Sequence, residues 1–372
     1  MTLVREISIE NYKSIRELTF ELGRVNVLIG ANGSGKSNIL EAIALGTADA
    51  RGKLDNEYLV PRGIRVVEPR FMRAAFPNGD VTGPVVVSLQ MEGRPKVTAH
   101  VDPEHPIALP ESEFVEQIYA EFEKLSRELK DAPQDVTPLV AKNMIHARLQ
   151  ELLPPDFLIY APENSALRVF QAEPQILPLG IKGEGLFAHL KALSAPGRAN
   201  RVAAIAERLS LLDWFERFEI PTDLAPGERS LLIRDRYLVE GALFDQRSAN
   251  EGFLFLLFYL TLFISDATPT FFAIDNVDAS LNPKLVTTLV KQLVELAKER
   301  DKQVIFTTHN PLVLDGIDLS DDEQRLFVTE RGKDGATRVR RVKAPKPLDG
   351  DAPVPLSEAF VRGYLGGLPK NF

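Results

Sequence analysis

The stretch GANGSGKS, Gly30–Ser37, limits what this chain can fold into more than any other part of it. The apolar run RVNVLIG (Arg24–Gly30) leads into it and KSNILEAIAL leaves it. A glycine-rich turn between a buried strand and a helix lets backbone N–H groups turn inward around phosphate oxygens, aided by the positive helix N-terminus. In that setting Gly30, Asn32, Gly33, Ser34, Gly35 and Asn38 frame a nucleotide. Lys36 bridges its β- and γ-phosphates and the Ser37 hydroxyl ligates Mg²⁺. The plain alternative, an ordinary glycine-rich turn, lacks a reason for the strand before it and the helix behind it.

A second stretch, FFAIDNVDASLNP (Phe271–Pro283), supplies a carboxylate. Four apolar residues run into Asp275, and a carboxylate at a buried strand end holds magnesium through water, completing the site that Ser37 begins. Taken alone, such an aspartate is a helix cap or turn residue; next to the phosphate loop the metal role is preferred. The following residue is Asn276. A glutamate there would polarise the attacking water, whereas an amide can bond water but cannot accept its proton. The expectation is a site that binds ATP and Mg²⁺ and turns over slowly. Asp278 or His309 could compensate, and a substitution introduced to trap the bound state is a further alternative.

Periodicity sets the rest. Alternation marks a strand over Leu3–Glu10, and short strands are expected at Pro84–Met91, Lys96–Val101 and Phe157–Tyr160. The helix after the phosphate loop is expected to stop at Gly46 as a C-terminal cap. Helical spacing in FVEQIYAEFEKLSRELK and VAKNMIHARLQELL suggests an insertion, too short for a coiled-coil arm. Further helices are predicted for EGLFAHLKAL and RVAAIAERLSLLDWFERF, then a strand–helix alternation through TFFAID, PKLVTTLVKQLVELAKER and KQVIFTTH. That rhythm implies parallel strands with covering helices. A hairpin over RLFVTERGKDGATRVRRVK and a short helix near SEAFVRGYLGG follow. We divide the chain into an N-terminal lobe with the phosphate loop (1–110), a helical insertion (111–156) and a remainder (157–372).

In this order of motifs the chain resembles an ABC-type ATPase head of the SMC and RecF kind, within the AAA-like ATPases of prokaryotic defence operons such as the OLD, Septu and PARIS systems. ENYKSI (Glu10–Ile15) matches the family's opening, and the resemblance implies that Lys13 and Ser14 lie along the nucleotide. It implies an α/β head with a β-rich N-terminal lobe and a mainly parallel core sheet. RSANEGFLFLL stands where the family keeps its signature, so Ser248 and Gly252 would contact the γ-phosphate held by another copy. Asn250–Glu251 departs from the usual glycine-rich spacing, and a plain helix cap explains the same residues. DASLNP (Asp278–Pro283) occupies the D-loop position and His309 that of the switch histidine. For the lobe-connecting glutamine, Glu163, Asn164 and Gln171 remain open.

Composition narrows the function classes. The 52 acidic and 44 basic residues give a net charge of −8, which argues against broad nonspecific nucleic-acid binding. There is no cysteine, so thiolate metal sites are excluded and a cytoplasmic setting fits. FLFLLFYLTLFI (Phe253–Ile264) is short of the roughly 20 residues a membrane span needs and reads as a core helix. After His309 there is no HNH pattern or acidic nuclease cluster. The expected role is a homodimeric ATP switch acting on a separately encoded nuclease or toxin. The alternative is a RecF-like DNA-repair ATPase that touches nucleic acid through Arg338, Arg340, Arg341, Lys343 and Lys346. A transport ATPase fits the N-terminal lobe poorly.

Overall fold

The computed structural model describes residues 2–76, 83–102, 120, 122–124, 127, 153–170, 174–221, 224–225, 227–344 and 354–367. The expected insertion helices lie, apart from those few positions, outside the described residues, as do Gln171 and Lys346.

Two sheets carry the head. The first is antiparallel in the order β2-β1-β4-β5, from β1 (Val4–Tyr12), β2 (Ile15–Glu21), β4 (Val85–Met91) and β5 (Lys96–Val101). The second runs β12-β11-β3-β10-β9-β6, from β3 (Val25–Ile29), β6 (Phe157–Tyr160), β9 (Phe271–Ile274), β10 (Gln303–Thr308), β11 (Gln324–Arg331) and β12 (Thr337–Val342). Only β12 is antiparallel in it, paired with β11 as the hairpin expected from the sequence. A small hairpin of β7 (Phe215–Glu219) and β8 (Leu232–Asp235) stands apart.

Within the second sheet β3, β6, β9 and β10 are buried along their whole length, as expected of parallel strands covered on both faces. Leu28, Phe157, Ile159, Phe271, Ala273, Ile305 and Phe327 face the antiparallel sheet and the helix Lys36–Asp49 between the two. Their neighbours Val27, Leu158, Tyr160, Phe272, Ile274, Val304, Phe306 and Leu326 face the helices Leu186–Leu193, Ala199–Leu209, Glu251–Ile264 and Pro283–Glu299. The period-two alternation of strand side chains thus divides each strand between two cores. Helix Glu251–Ile264 is buried from Phe253 to its end, so its uniform apolarity is that of a core element. Among the described residues no helix is long and apolar enough to cross a membrane.

Polar side chains pin the sheets together where backbone pairing is absent. Buried Gln303 accepts from Val4 N at 2.9 Å and donates to Val4 O and Gly23 O at 2.8 Å, tying the first strand of one sheet to β10 of the other. Lys302, also buried, donates to the carbonyls of Ser265 (2.9 Å), Thr268 (3.0 Å) and Pro269 (3.2 Å). It thereby satisfies backbone oxygens left over where helix Glu251–Ile264 ends.

Two sequence expectations fail locally. FERF in RVAAIAERLSLLDWFERF is strand: the helix ends at Leu209 and Phe215–Glu219 pairs with β8. Phe215 and Phe218, three apart, looked helical, but a register shift between Phe215 and Arg217 brings both to the buried side of a strand. Gly46 does not cap its helix, which runs on to Asp49. A Cβ at Gly46 would stand 2.6 Å from Val87 Cγ1, so the glycine lets the helix approach β4. Gly46→Ala gains up to ~1 kcal/mol of helix propensity, but overpacking against a stiff β-branched residue costs about 1–3 kcal/mol. Denaturant unfolding should therefore give a less stable variant; a more stable one would show that β4 yields.

Candidate functional site

Parallel pairing assembles the site. Thr308 of β10 lies opposite Ile29 of β3, and Phe306 opposite Ile274 of β9. The segments that follow these strands (the phosphate loop, Asp275 with Asn276, and His309) therefore emerge side by side at the C-terminal sheet edge, where open α/β sheets bind ligands. They line one cavity of about 310 Å³ with Asn32 to Asn38 and Arg65.

The loop has the backbone its sequence implies. Gly33 and Gly35 take φ of 73° and 109°, and a Cβ at Gly35 would lie 2.1 Å from Thr337 Oγ1. Lys36 donates to Gly30 O at 2.8 Å and Ala31 O at 3.2 Å, folding back across the loop. Burial pulls the Lys36 ammonium down to about 8, against the opposing pull of Asp275. Ser37 Oγ donates to Asp275 Oδ2 at 3.3 Å, two hard oxygens facing one space, the donor set a magnesium ion takes.

Asp275 is held from two sides. Its N–H bonds Tyr160 O at 2.8 Å, extending the β6–β9 ladder, and its Oδ1 accepts from Thr307 Oγ1. The same Thr307 hydroxyl accepts from Asn276 N at 2.9 Å, stabilising a residue with φ of 55° and an exposed side chain. His309 is shifted below the ordinary imidazole value by burial and by Lys36, against Asp278, the Gly30 backbone and Asp275. That favours the neutral ring, able to accept or donate at the cavity wall. Asp278 itself accepts from Thr308 Oγ1 at 2.6 Å, which anchors the following turn to the end of β10.

Other sequence candidates are placed differently. Lys13 and Ser14 do not line the cavity. Lys13 pairs with buried Glu41, and Ser14 sits behind the loop, accepting from Asn38 Nδ2 at 2.7 Å and bonded to Thr337 Oγ1 at 2.7 Å. Thr337 in turn donates to Ser34 O at 3.0 Å, so Ser14 and Thr337 brace the loop from behind. Ser248 is exposed on a turn held by Asp245, and Asn250 caps helix Glu251–Ile264 through Phe253 N at 2.8 Å. Neither Ser248 nor Gly252 reaches this chain's own cavity.

Of the connecting-loop candidates, Glu163 lines an adjoining cavity of about 480 Å³ together with Ser37 and Asp275. Asn164 instead bonds Glu251 at 2.6 Å, and Arg168 donates to the carbonyls of Arg247 (2.6 Å) and Ala249 (2.8 Å). This loop therefore touches both the phosphate side and the Ser248–Gly252 segment. Arg65 and Thr337 escaped the sequence reading: both are distant in the chain from any motif, and nothing in their neighbours distinguishes them. Thr307→Val keeps the buried shape but strips Asp275 of a donor and Asn276 N–H of its acceptor. Unfolding should show a loss of about 1–3 kcal/mol, and no loss would mean that water replaces the hydroxyl.

Comparison with known proteins agrees with this geometry. Residues 200–315 match a family described as "AAA domain, putative AbiEii toxin, Type IV TA system", and residues 6–135 match one described as "AAA domain". An uncharacterized protein of Methanocaldococcus jannaschii is 40% identical over 67 residues, covering 16% of this chain and 31% of that protein, so the match spans about a third of its length. Among solved structures, an Smc head bound to the C-terminal winged-helix domain of ScpA superposes with a TM-score of 0.58 at 15% identity, covering 91% of this chain and 98% of that one. Smc heads derived from Pyrococcus furiosus, bound to the C-terminal domain of ScpA, and from Pyrococcus yayanosii give TM-scores of 0.53 and 0.52 at 14% and 12% identity. Each covers 92% of this chain, and 97% and 98% of those chains are matched. At such identities the likeness establishes the fold. The family matches are thus to AAA domains at the two ends of the described site, and the chain shares the fold of Smc heads.

Proposed function

We propose that the chain is an ATP-binding, dimerising switch that hydrolyses slowly and regulates a separately encoded effector, a nuclease or toxin, in anti-phage defence. The observation that carries this reading is the cavity where Lys36, Ser37 and Asp275 converge beside a position, Asn276, that bears an amide. ATP is the substrate that fits its phosphate loop, and Ser37 and Asp275 would hold Mg²⁺, whose charge neutralises the β- and γ-phosphates. The neutral amide of Asn276 orients water without taking its proton, so bound ATP persists and acts as a structural ligand. The match to a toxin–antitoxin ATPase family supports the defence setting, and the proposed compartment is the cytoplasm.

A homodimer follows from Ser248 and Gly252. A Cβ at Gly252 would stay 3.5 Å or more from its neighbours, so nothing among the described residues requires a glycine there. Close approach of a γ-phosphate from a second copy gives it a reason, and the helix N-terminus at Asn250 favours an anion. Residues 111–153 and 357–372 are the proposed effector-docking regions. Direct action on DNA is less favoured: Arg338 pairs with Asp334, Arg341 with Asp322, and Arg340 donates to Leu365 O, so the basic strand is largely engaged.

Equilibrium binding should show ATP and Mg²⁺ bound by the wild-type chain and binding abolished in Lys36→Ala. Asn276→Glu should raise the hydrolysis rate by about a hundredfold or more, the lower range of general-base contributions; an unchanged rate would remove Asn276 from the catalytic position. Ultracentrifugation should find a dimer tightened by ATP, and Ser248→Arg should weaken that dimer while sparing nucleotide binding. A strict monomer at saturating ATP would count against the switch, and salt-sensitive nanomolar DNA affinity would favour the repair reading instead.

A further inference from the structure

Resting on the nucleotide reading above, we propose that Glu41 is a positioning residue that fixes the Arg65 guanidinium at the mouth of the phosphate cavity. Glu41 lies one turn into the helix behind the phosphate loop and is only 2% exposed. A carboxylate buried that deeply needs opposite charge and hydrogen bonds around it. It has both: one oxygen accepts from Lys13 Nζ and, at 3.3 Å, from the Tyr12 hydroxyl, while the other accepts from Arg65 Nε. Two cations on one anion leave a surplus positive charge, and it falls on the more exposed partner, Arg65, whose side chain is 65% exposed.

The arrangement also sets direction. A guanidinium is a rigid planar fork of five donors, so fixing one nitrogen orients the others. With Nε held by Glu41, Nη2 stands 3.4 Å from Asn38 Oδ1, on the phosphate-loop side. Lys13 adds a second restraint by donating to the backbone carbonyl of Arg65 at 3.3 Å. Arg65 lines both the phosphate cavity and the adjoining one that Ser37, Asp275 and Glu163 share. A cation prearranged in this way meets a phosphate without first giving up side-chain freedom, which is where its contribution to affinity arises. Glu41 thus links the end of β1, the loop helix and the 60–66 segment into one charged unit facing the ligand.

The test turns on a sign. Glu41→Gln removes a negative charge near a phosphate site, so a purely electrostatic role predicts tighter ATP binding. Positioning predicts the opposite, a loss of about tenfold, the size of one charge-assisted hydrogen bond. Calorimetric ATP affinities of the full chain are compared for wild type, Glu41→Gln, Arg65→Ala and the double variant, with thermal unfolding to establish that each is folded. The double variant should bind about as weakly as Arg65→Ala alone. Arg65→Lys, which keeps the charge and loses the fork, should also weaken binding. Equal or tighter binding by Glu41→Gln, or full additivity in the double variant, overturns the positioning role. Should Glu41→Gln not fold, Arg65→Lys decides, and unchanged affinity overturns it. Failure of the wild type to bind ATP at all would instead sink the nucleotide reading.

Discussion

Everything at the site depends on the parallel pairing of β3 with β10 and of β10 with β9. The three strands run level from Val25, Val304 and Phe272; β3 and β10 end together at Ile29 and Thr308, β9 ends at Ile274 opposite Phe306, and all release their following loops at one edge. The phosphate loop, His309 and Asp275 are far apart in sequence and meet only because of that register. A slip of one residue would invert every side chain between the two cores and separate Ser37 from Asp275. Burial on both faces therefore fixes the chemistry as firmly as it fixes the fold.

The second sheet is the shared wall of two apolar cores, and two polar residues within it, Gln303 and Asn26, are bonded to backbone. Both are wholly buried, and their amides bond backbone groups of Val4, Gly23 and Val304. Buried polar groups of this kind destabilise unless fully bonded, so they select a single alignment of the two sheets. The helix behind the phosphate loop lies between those sheets, and for that reason it is apolar nearly all round, with Glu41 facing its cationic partners.

Of the residues after β6, Glu163 lines a cavity that Ser37 and Asp275 also line, while Asn164 and Arg168 bond the segment around Ser248–Gly252. A change in the phosphate cavity thus has a short mechanical route to the surface that the proposed second copy would meet. Ligands shift such an element only through unequal affinity for its two arrangements.

What the sequence determined by itself was the local grammar. A strand, a glycine loop and a helix at Gly30–Ser37, a carboxylate at the end of Phe271–Ile274 and a histidine at the end of Gln303–Thr308 are all short-range patterns, and each was legible because backbone propensity and burial act over a few residues. Tertiary structure decided the rest. Gly46 has the local pattern of a cap, but Val87 packs where its Cβ would lie, and Phe215 with Phe218 have helical spacing, but a strand irregularity places them together. Ser14 bonds Thr337, more than three hundred positions away, and through it the phosphate loop. Arg65 belongs to no motif, and it lines the cavity while paired with a buried carboxylate on a neighbouring helix. These are partnerships between side chains brought close by sheet pairing and helix packing, and no local pattern encodes a partner that the fold has yet to supply.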